Sequence, residues 1–172
     1  FMSNEYSNFF LTGSRKSGKS TVIREIMKCF PDRFSGFLTL PDQWSGQICT
    51  YKLVDILSNK EGPVSCWIGN EIEPVTETFD TLGIEVLEDY KRFPMVIMDE
   101  LGRFERNCFS FIKKINEIAD SDVLLLAALK KEDIGFINEL KKRKDSIVWD
   151  LDEIGIDAAQ TKVKYILAEK GL

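Results

Sequence analysis

A segment near the start of the chain has the residue types and spacing of a phosphate-binding loop, G-x-x-x-x-G-K-[ST]. Its glycines allow the backbone to curve until several N–H groups point at one phosphate chain. In this pattern the lysine reaches the β- and γ-phosphates, and the hydroxyl that follows it binds Mg²⁺. We therefore expect Lys19 to act on the triphosphate and Ser20 to be a metal ligand. The expected nucleotide-binding residues are Gly13, Ser14, Arg15, Lys16, Ser17, Gly18, Lys19, Ser20 and Thr21.

Two carboxylates, Asp99 and Glu100, directly follow the apolar run at residues 95–98. A continuous apolar run is typical of a strand buried on both faces of a parallel sheet. Ligands of open α/β sheets bind at the carboxyl ends of the strands, so both acids are expected at the same edge as the phosphate loop. We expect Asp99 to hold Mg²⁺ through a water and Glu100 to orient or deprotonate the water that attacks the γ-phosphate. Taken alone, such a pair is equally compatible with a helix cap or a solvated turn.

The segments on either side of the loop have the pattern of a strand and a helix. Residues 8–12 form a short apolar run before the loop, which predicts a buried strand. Residues 21–30 follow the loop with apolar side chains at helical spacing, which predicts a helix. The expected apolar face of that helix consists of Val22, Ile26, Cys29 and Phe30.

The rest of the chain alternates apolar strands with amphipathic helices. Strands are predicted at residues 36–40, 47–56, 64–68, 95–98, 123–128 and 146–149, the first of them ending at Pro41. Helices are predicted at residues 80–93, 107–119, 133–142 and 157–169, with Thr78 or Asp80 as the N-cap of the first. This alternation predicts a three-layer α/β fold with a mostly parallel sheet and an antiparallel meander after the first helix. By analogy with phosphate-loop proteins that carry a doubled acid, we expect the strand at residues 123–128 to lie between the two motif strands.

Length and composition restrict the class of protein. The 172 residues predict a single domain over residues 1–172. The net charge of −5 argues against tight, non-specific nucleic-acid binding, and no apolar run approaches the ~20 residues of a membrane span. The first residues lack a signal-peptide pattern. Cysteines that form no recognisable pair are typical of a reduced protein, so we expect a cytoplasmic location. Because the chain has no histidine and no C-x-x-C pair, we expect no zinc site and interpret its cysteines as small core residues: Cys29, Cys49, Cys66 and Cys108.

Two segments resemble motifs of a known family. Residues 99–105, Asp-Glu-Leu-Gly-Arg-Phe-Glu, resemble the signature Asp-Glu-Ile-Gly-Lys-Met-Glu. Residues 36–39, Gly-Phe-Leu-Thr, resemble the segment Gly-Phe-x-Thr that the same family has after its first helix. The family is that of the thermophile nucleoside triphosphatases, also called the cancer-related nucleoside triphosphatases. The resemblance extends over about residues 8–150.

The resemblance implies a single-domain, RecA-like P-loop enzyme that uses Mg²⁺ to hydrolyse nucleoside triphosphates to diphosphate and phosphate, with broad base tolerance. It also implies that Asp99 is the metal-side acid and that Glu100 is the base. Arg103 stands where the family has a lysine, and Glu105 matches the last acid of the signature. The chain departs from the family at residues 127–129, where Ala-Ala-Leu provides no hydroxyl in place of a frequent threonine. The late Asn-Arg-Asp segment of the family also has no counterpart in residues 150–154.

Three functions are compatible with these residues. The favoured one is an Mg²⁺-dependent nucleoside triphosphatase acting on ATP or GTP, with Arg15, Lys16 and Arg103 as candidates for an arginine-finger cation. The second is a nucleotide or small-molecule kinase that uses the same loop. The third is a non-enzymatic nucleotide-binding switch, in which Trp44 and Trp67 form a partner surface instead of filling the core.

Overall fold

The computed structural model describes residues 5–44 and 47–172, and the side chains it describes are those of residues 5–42 and 50–172. The strands, in chain order, are β1 (Asn8–Thr12), β2 (Phe34–Trp44), β3 (Gln47–Asp55), β4 (Glu61–Pro63), β5 (Ser65–Ile68), β6 (Glu71–Pro74), β7 (Met95–Leu101), β8 (Leu124–Leu129) and β9 (Ser146–Asp150). The α-helices are α1 (Lys19–Cys29), α2 (Thr76–Thr78), α3 (Ile84–Glu88), α4 (Phe109–Asp120), α5 (Gly135–Lys141) and α6 (Leu151–Glu169). Short 3₁₀ turns occur at Tyr90–Arg92 and Arg103–Glu105.

Seven strands of the described residues form one sheet, in the order β4-β3-β2-β7-β8-β1-β9. The strands from β2 to β9 in that order pair in parallel, whereas β3 pairs antiparallel to β2 and β4 antiparallel to β3. β5 and β6 form a separate antiparallel pair. The predicted α/β fold with an antiparallel portion after the first helix is therefore confirmed. β8 lies between β7 and β1, as expected for the strand predicted at residues 123–128.

Alternate residues of the parallel strands face two separate cores, which gives the fold its three layers. Phe10 and Met98 pack into a core that also contains side chains of α3, α4 and α5. Phe9 and Ile97 pack on the opposite side of the sheet, against side chains of α1 and α6. Because the central strands are buried on both faces, their sequences are continuous apolar runs and do not alternate between apolar and polar residues.

The first predicted meander strand does not end at Pro41, because β2 continues to Trp44. The strand pairs with β7 over Phe34–Leu38 and with β3 over Phe37–Trp44. Pro41 lies opposite Tyr51 of β3, beyond the last residue paired with β7. A proline is tolerated in a strand that is bonded on one side, because its missing N–H is then not needed.

The helix predicted at residues 80–93 has a different start and a different geometry. It begins at Thr76 and passes through a π-helical segment, Phe79–Gly83, into α3. The predicted N-caps at Thr78 and Asp80 are therefore wrong, since the cap position is Val75. The π-helical turn places Gly83 against the ring of Phe111, where there is no room for a larger side chain. A helical pattern with a period of 3.6 residues does not reveal such a turn.

The last helix begins earlier than predicted. Asp150 caps α6 by accepting a hydrogen bond from the Asp152 N–H, and Gly155 interrupts the helix with a φ of 80°. Because of that interruption, the first turn does not continue the helical periodicity of the later residues.

The cysteines were all expected in the core, and only part of that expectation holds. Cys29 is exposed at the end of α1, so its assignment to the core is wrong, and Cys66 is only half-buried, whereas Cys108 is buried. The Cys49 side chain and the Trp44 side chain lie outside the described residues.

Among the helices in residues 5–44 and 47–172, each is too short or too polar to cross a membrane.

Candidate active site

The phosphate loop connects the end of β1 to the start of α1. Gly18 is the N-cap of α1 with a φ of 104°, and its carbonyl accepts a hydrogen bond from the Val22 N–H at 3.0 Å. This left-handed conformation favours glycine, and a Cβ at this position would collide with the side chain of Ile156. The Ser17 hydroxyl oxygen is buried with no hydrogen-bond partner among the described residues. A loop that curves in this way and holds an unsatisfied hydroxyl is suited to an anionic ligand.

The Lys19 side chain is buried and folds back over the loop. Its Nζ donates a hydrogen bond to the Gly13 carbonyl at 2.8 Å and lies 3.4 Å from the Ser14 carbonyl. Nζ also lies 3.6 Å from Oε2 of Glu100. The lysine of the loop and the second acid of β7 therefore occupy the same edge of the sheet.

Ser20 and Asp99 are joined by a direct hydrogen bond. The Ser20 hydroxyl donates to Oδ1 of Asp99 at 3.1 Å, across 79 residues of sequence. Burial raises the pKa of Asp99 to about 6, and the hydrogen bond from Ser20 opposes that shift. A hydroxyl and a carboxylate in contact are hard oxygen ligands of the kind that Mg²⁺ prefers, which fits the set predicted from the sequence.

Glu100 lies between two ammonium groups. Its Oε2 faces Lys19, and its Oε1 lies 3.5 Å from Nζ of Lys130, which follows β8. About a quarter of the Glu100 side chain is exposed, and this residue lines the cleft, whereas Asp99 is buried. The two adjacent acids thus have different surroundings and different access to water.

Glu105, the last acid of the signature, closes the turn after β7. Its Oε2 accepts a hydrogen bond from the Gly102 N–H at 2.9 Å, and the side chain is buried. Burial raises the pKa of Glu105 to about 8. The side chain therefore stabilises the turn that leads away from Glu100. Arg103, in the same turn, lies with its guanidinium 5.3 Å from the ring centre of Phe104.

Sequence reasoning missed Asp152, which contacts the loop from elsewhere in the chain, and Lys131, which pairs with it. Asp152 accepts hydrogen bonds from the Ser14 N–H at 2.8 Å and from the Ser14 hydroxyl at 2.7 Å. Lys131 forms ion pairs with Asp152 at 3.0 Å and with Asp150 at 2.8 Å. These hydrogen bonds and the pair with Lys131 hold the pKa of Asp152 down to about 2. No local pattern marks these residues, because the contact between Ser14 and Asp152 spans 138 positions.

The loop, the end of β7 and the segment after β8 enclose a cleft of about 830 Å³. The predicted site residues that line it are Gly13, Ser14, Arg15, Lys16, Ser17, Gly18, Lys19, Ser20, Thr21, Glu100 and Arg103. Asp99 does not line the cleft itself but is hydrogen-bonded to Ser20, which does, and Lys130 and Lys131 are also lining residues. In the described ranges, 5–44 and 47–172, no three carboxylates or cysteines cluster as a self-sufficient metal site. Mg²⁺ bound to phosphates needs only one or two protein oxygens and keeps several waters.

A glycine-rich loop connects β1 to α1, and β7, which has two acids near its carboxyl end, lies two positions from β1 in a mostly parallel sheet. This combination defines a P-loop NTPase. The family model described as NTPase matches residues 8–164 of the chain, and the chain belongs to that family. The resemblance seen in the sequence motifs is thereby confirmed.

Individual relatives and solved structures agree with this assignment. The chain is 26% identical over 164 residues to the nucleoside-triphosphatase THEP1 of Thermotoga petrophila, covering 91% of this chain and 90% of that protein. It is 26% identical over 172 residues to THEP1 of Methanothermobacter thermautotrophicus, covering 92% and 95%. The crystal structure of THEP1 from Aquifex aeolicus superposes with a TM-score of 0.75 at 20% identity, covering 91% of this chain and 96% of that one. The solution structure of a human cancer-related nucleoside triphosphatase superposes with a TM-score of 0.72 at 22% identity, covering 94% and 97%.

Proposed function

We propose that this protein is an Mg²⁺-dependent nucleoside triphosphatase that hydrolyses ATP or GTP to the diphosphate and inorganic phosphate. The observation that carries the proposal is the hydrogen bond between Ser20 and Asp99, which joins the phosphate loop to the acid of β7. The names of the relatives, all nucleoside-triphosphatases, support the same activity.

Substrate binding is assigned to the loop and the start of α1. The backbone N–H groups of the loop and the positive end of the α1 dipole attract the phosphate chain. The Lys19 ammonium, which bonds loop carbonyls here, exchanges them for the β- and γ-phosphate oxygens. Since these contacts recognise phosphate alone, the loop accepts any nucleoside triphosphate, and base preference arises elsewhere in the cleft.

Ser20 and Asp99 are the residues proposed to hold Mg²⁺, Ser20 directly and Asp99 through a water. Mg²⁺ held by these two residues would supply positive charge that offsets the negative charge developing on the phosphate oxygens. The donor set fits this ion, because both atoms are hard oxygens and they already lie in contact.

Glu100 is proposed to orient the attacking water and accept its proton. The water oxygen forms a bond to the γ-phosphorus while the bond from that phosphorus to the β–γ bridging oxygen breaks. The diphosphate departs with the electron pair of that bond, and the proton of the water passes to Glu100. The partial exposure of Glu100, next to buried Asp99, supports this division of roles.

We propose that residues 1–172 act as one domain in the cytoplasm, without nucleic acid or membrane as a partner. The net charge of −5 favours a small anionic ligand held by local cations over a polyanion bound across a surface.

The test is phosphate release from ATP, GTP, CTP and UTP, each with and without Mg²⁺ and with no acceptor present. We expect release that requires Mg²⁺ and that Lys19→Ala abolishes together with nucleotide binding. Release that appears only after a nucleoside or monophosphate is added would identify a kinase instead. Tight binding of triphosphate without release under any of these conditions would identify a switch.

A further inference from the structure

Two lysines from different elements flank the Glu100 carboxylate. Lys19 belongs to the phosphate loop and lies 3.6 Å from one carboxylate oxygen. Lys130 belongs to the segment after β8 and lies 3.5 Å from the other. Because β8 lies between β7 and β1, it brings Lys130 directly to the gap between the acid and the loop.

The turn after β7 leaves the space that the Lys130 side chain occupies. The Lys130 N–H donates a hydrogen bond to the Leu101 carbonyl at 2.9 Å, which fixes the start of the side chain. A Cβ on Gly102 would lie 2.7 Å from Cγ of Lys130, so a larger residue there would displace the lysine. Gly102 itself has an extended backbone with a φ of −159°, which any residue can adopt. The missing side chain, and not the backbone conformation, is therefore what Lys130 requires.

Two of the other cations that line the cleft, Arg103 and Lys131, already have partners, and Arg15 and Lys16 belong to the phosphate loop itself. The guanidinium of Arg103 lies over the ring of Phe104. Lys131 pairs with Asp150 and Asp152. Residues 127–129, at the end of β8, are apolar, so Lys130 is the first charged group that follows this strand.

We propose that Lys130 is a catalytic residue that contacts the γ-phosphoryl group and supplies in cis the positive charge of an arginine finger. This inference rests on the proposed function. Lys19 and Lys130 both contact one carboxylate, so a γ-phosphoryl group bound by Lys19 lies within reach of Lys130. When the phosphoryl group binds, both ammonium groups transfer from Glu100 to its oxygens. Glu100 is then released to accept the proton of the attacking water, and the phosphoryl oxygens take its place as the anion between the two lysines.

The experiment compares Lys130→Ala and Lys130→Arg with the wild type, and Lys142→Ala, an exposed lysine in a surface pair with Glu139, is the control. The affinities for ADP and for the β,γ-imido analogue of ATP are measured for each variant. The kcat of phosphate release from ATP is measured in the same preparations. We expect Lys130→Ala to bind the analogue roughly tenfold more weakly and ADP as tightly as the wild type, because only the analogue has a γ-phosphoryl group. Its kcat should fall by about 10²-fold or more, and Lys130→Arg should restore most of both losses.

A second variant tests the position of the lysine without removing it. Gly102→Ala retains the N–H that bonds Glu105 and the extended backbone, but its Cβ displaces Lys130. We expect it to reproduce the selective loss of affinity for the analogue, and to add little in combination with Lys130→Ala.

Equal losses of affinity for ADP and for the analogue in Lys130→Ala would overturn the inference, as would a kcat within twofold of the wild type. The ratio of the two affinities does not depend on hydrolysis, so it still tests Lys130 if the wild type binds triphosphate without releasing phosphate. In that case the proposed function would fail by itself. A wild type that binds neither nucleotide would contradict both.

Discussion

Glu105 is buried in the turn after β7, and its charge state depends on that burial. Burial raises its pKa to about 8 from an ordinary value of 4.5, while the hydrogen bond from the Gly102 N–H opposes the shift. At pH values between 4.5 and about 8, the folded protein keeps a proton on Glu105 that the unfolded chain releases. The stability that the neutral carboxyl contributes is therefore complete below pH 4.5, declines as the pH rises, and is lost above about pH 8.

This titration predicts how the free energy of unfolding depends on pH. Between pH 5 and 8 the wild type should lose up to about 1.4 kcal/mol per pH unit more than Glu105→Gln, which has no proton to release. Urea unfolding of the nucleotide-free protein at several pH values measures the difference. Glu71→Gln, at an exposed position of β6, should follow the wild type. Parallel profiles for Glu105→Gln and the wild type would show that Glu105 is ionised in the folded protein.

Among the elements, the strands and the loop were the most predictable, because their signals are local. The phosphate loop and the apolar runs of β1 and β7 are contiguous in sequence, and the parallel sheet brings their ends together. The start of α6 was missed, because Gly155 interrupts its first turns. The contacts of Lys130 with Glu100 and of Asp152 with Ser14 were not predictable, since they link segments 30 and 138 positions apart. Such contacts depend on tertiary packing and leave no periodic pattern.

The N-cap of α6 gives a prediction at the scale of this element. The Asp150 carboxylate accepts a hydrogen bond from the Asp152 N–H at 2.9 Å. Asp150→Ala should lower the free energy of unfolding by about 1 kcal/mol, and Asp150→Ser, which retains a capping oxygen, should recover most of the loss. Asp157→Ala, farther along the same helix, is the matched control in urea unfolding. If Asp150→Ser is as unstable as Asp150→Ala, the capping account is wrong.

The whole molecule is organised as a sheet between two cores, and the cleft lies at the carboxyl ends of the central strands. The core on the side of α4 includes Phe111, whose ring lies 5.3 Å from that of Phe79 and 5.8 Å from that of Phe37. The opposite core holds α1 and α6 against the sheet. The geometry of the site thus depends on packing at both faces, since α1 carries the loop and β7 carries the acids.

Two phenylalanines of α4 provide a matched test of this organisation. Phe111 is fully buried, whereas Phe109, two residues earlier, is 75% exposed. Phe111→Ala should lower the free energy of unfolding by about 3–5 kcal/mol, because it leaves a cavity between two other aromatic rings. Phe109→Ala should change it by no more than about 0.5 kcal/mol. Comparable losses in the two variants, measured by urea unfolding, would contradict the assignment of this core.

At the same scale, the phosphate loop and the two acids of β7 belong to one site because three elements converge at one edge of the sheet. The most direct test is Glu100→Gln, assayed for triphosphate binding and for phosphate release in the same preparation with Mg²⁺. The account predicts that binding stays within about threefold of the wild type while release falls by about 10²-fold or more, because the amide cannot accept the proton of the water. Phosphate release by Glu100→Gln at the wild-type rate would contradict it.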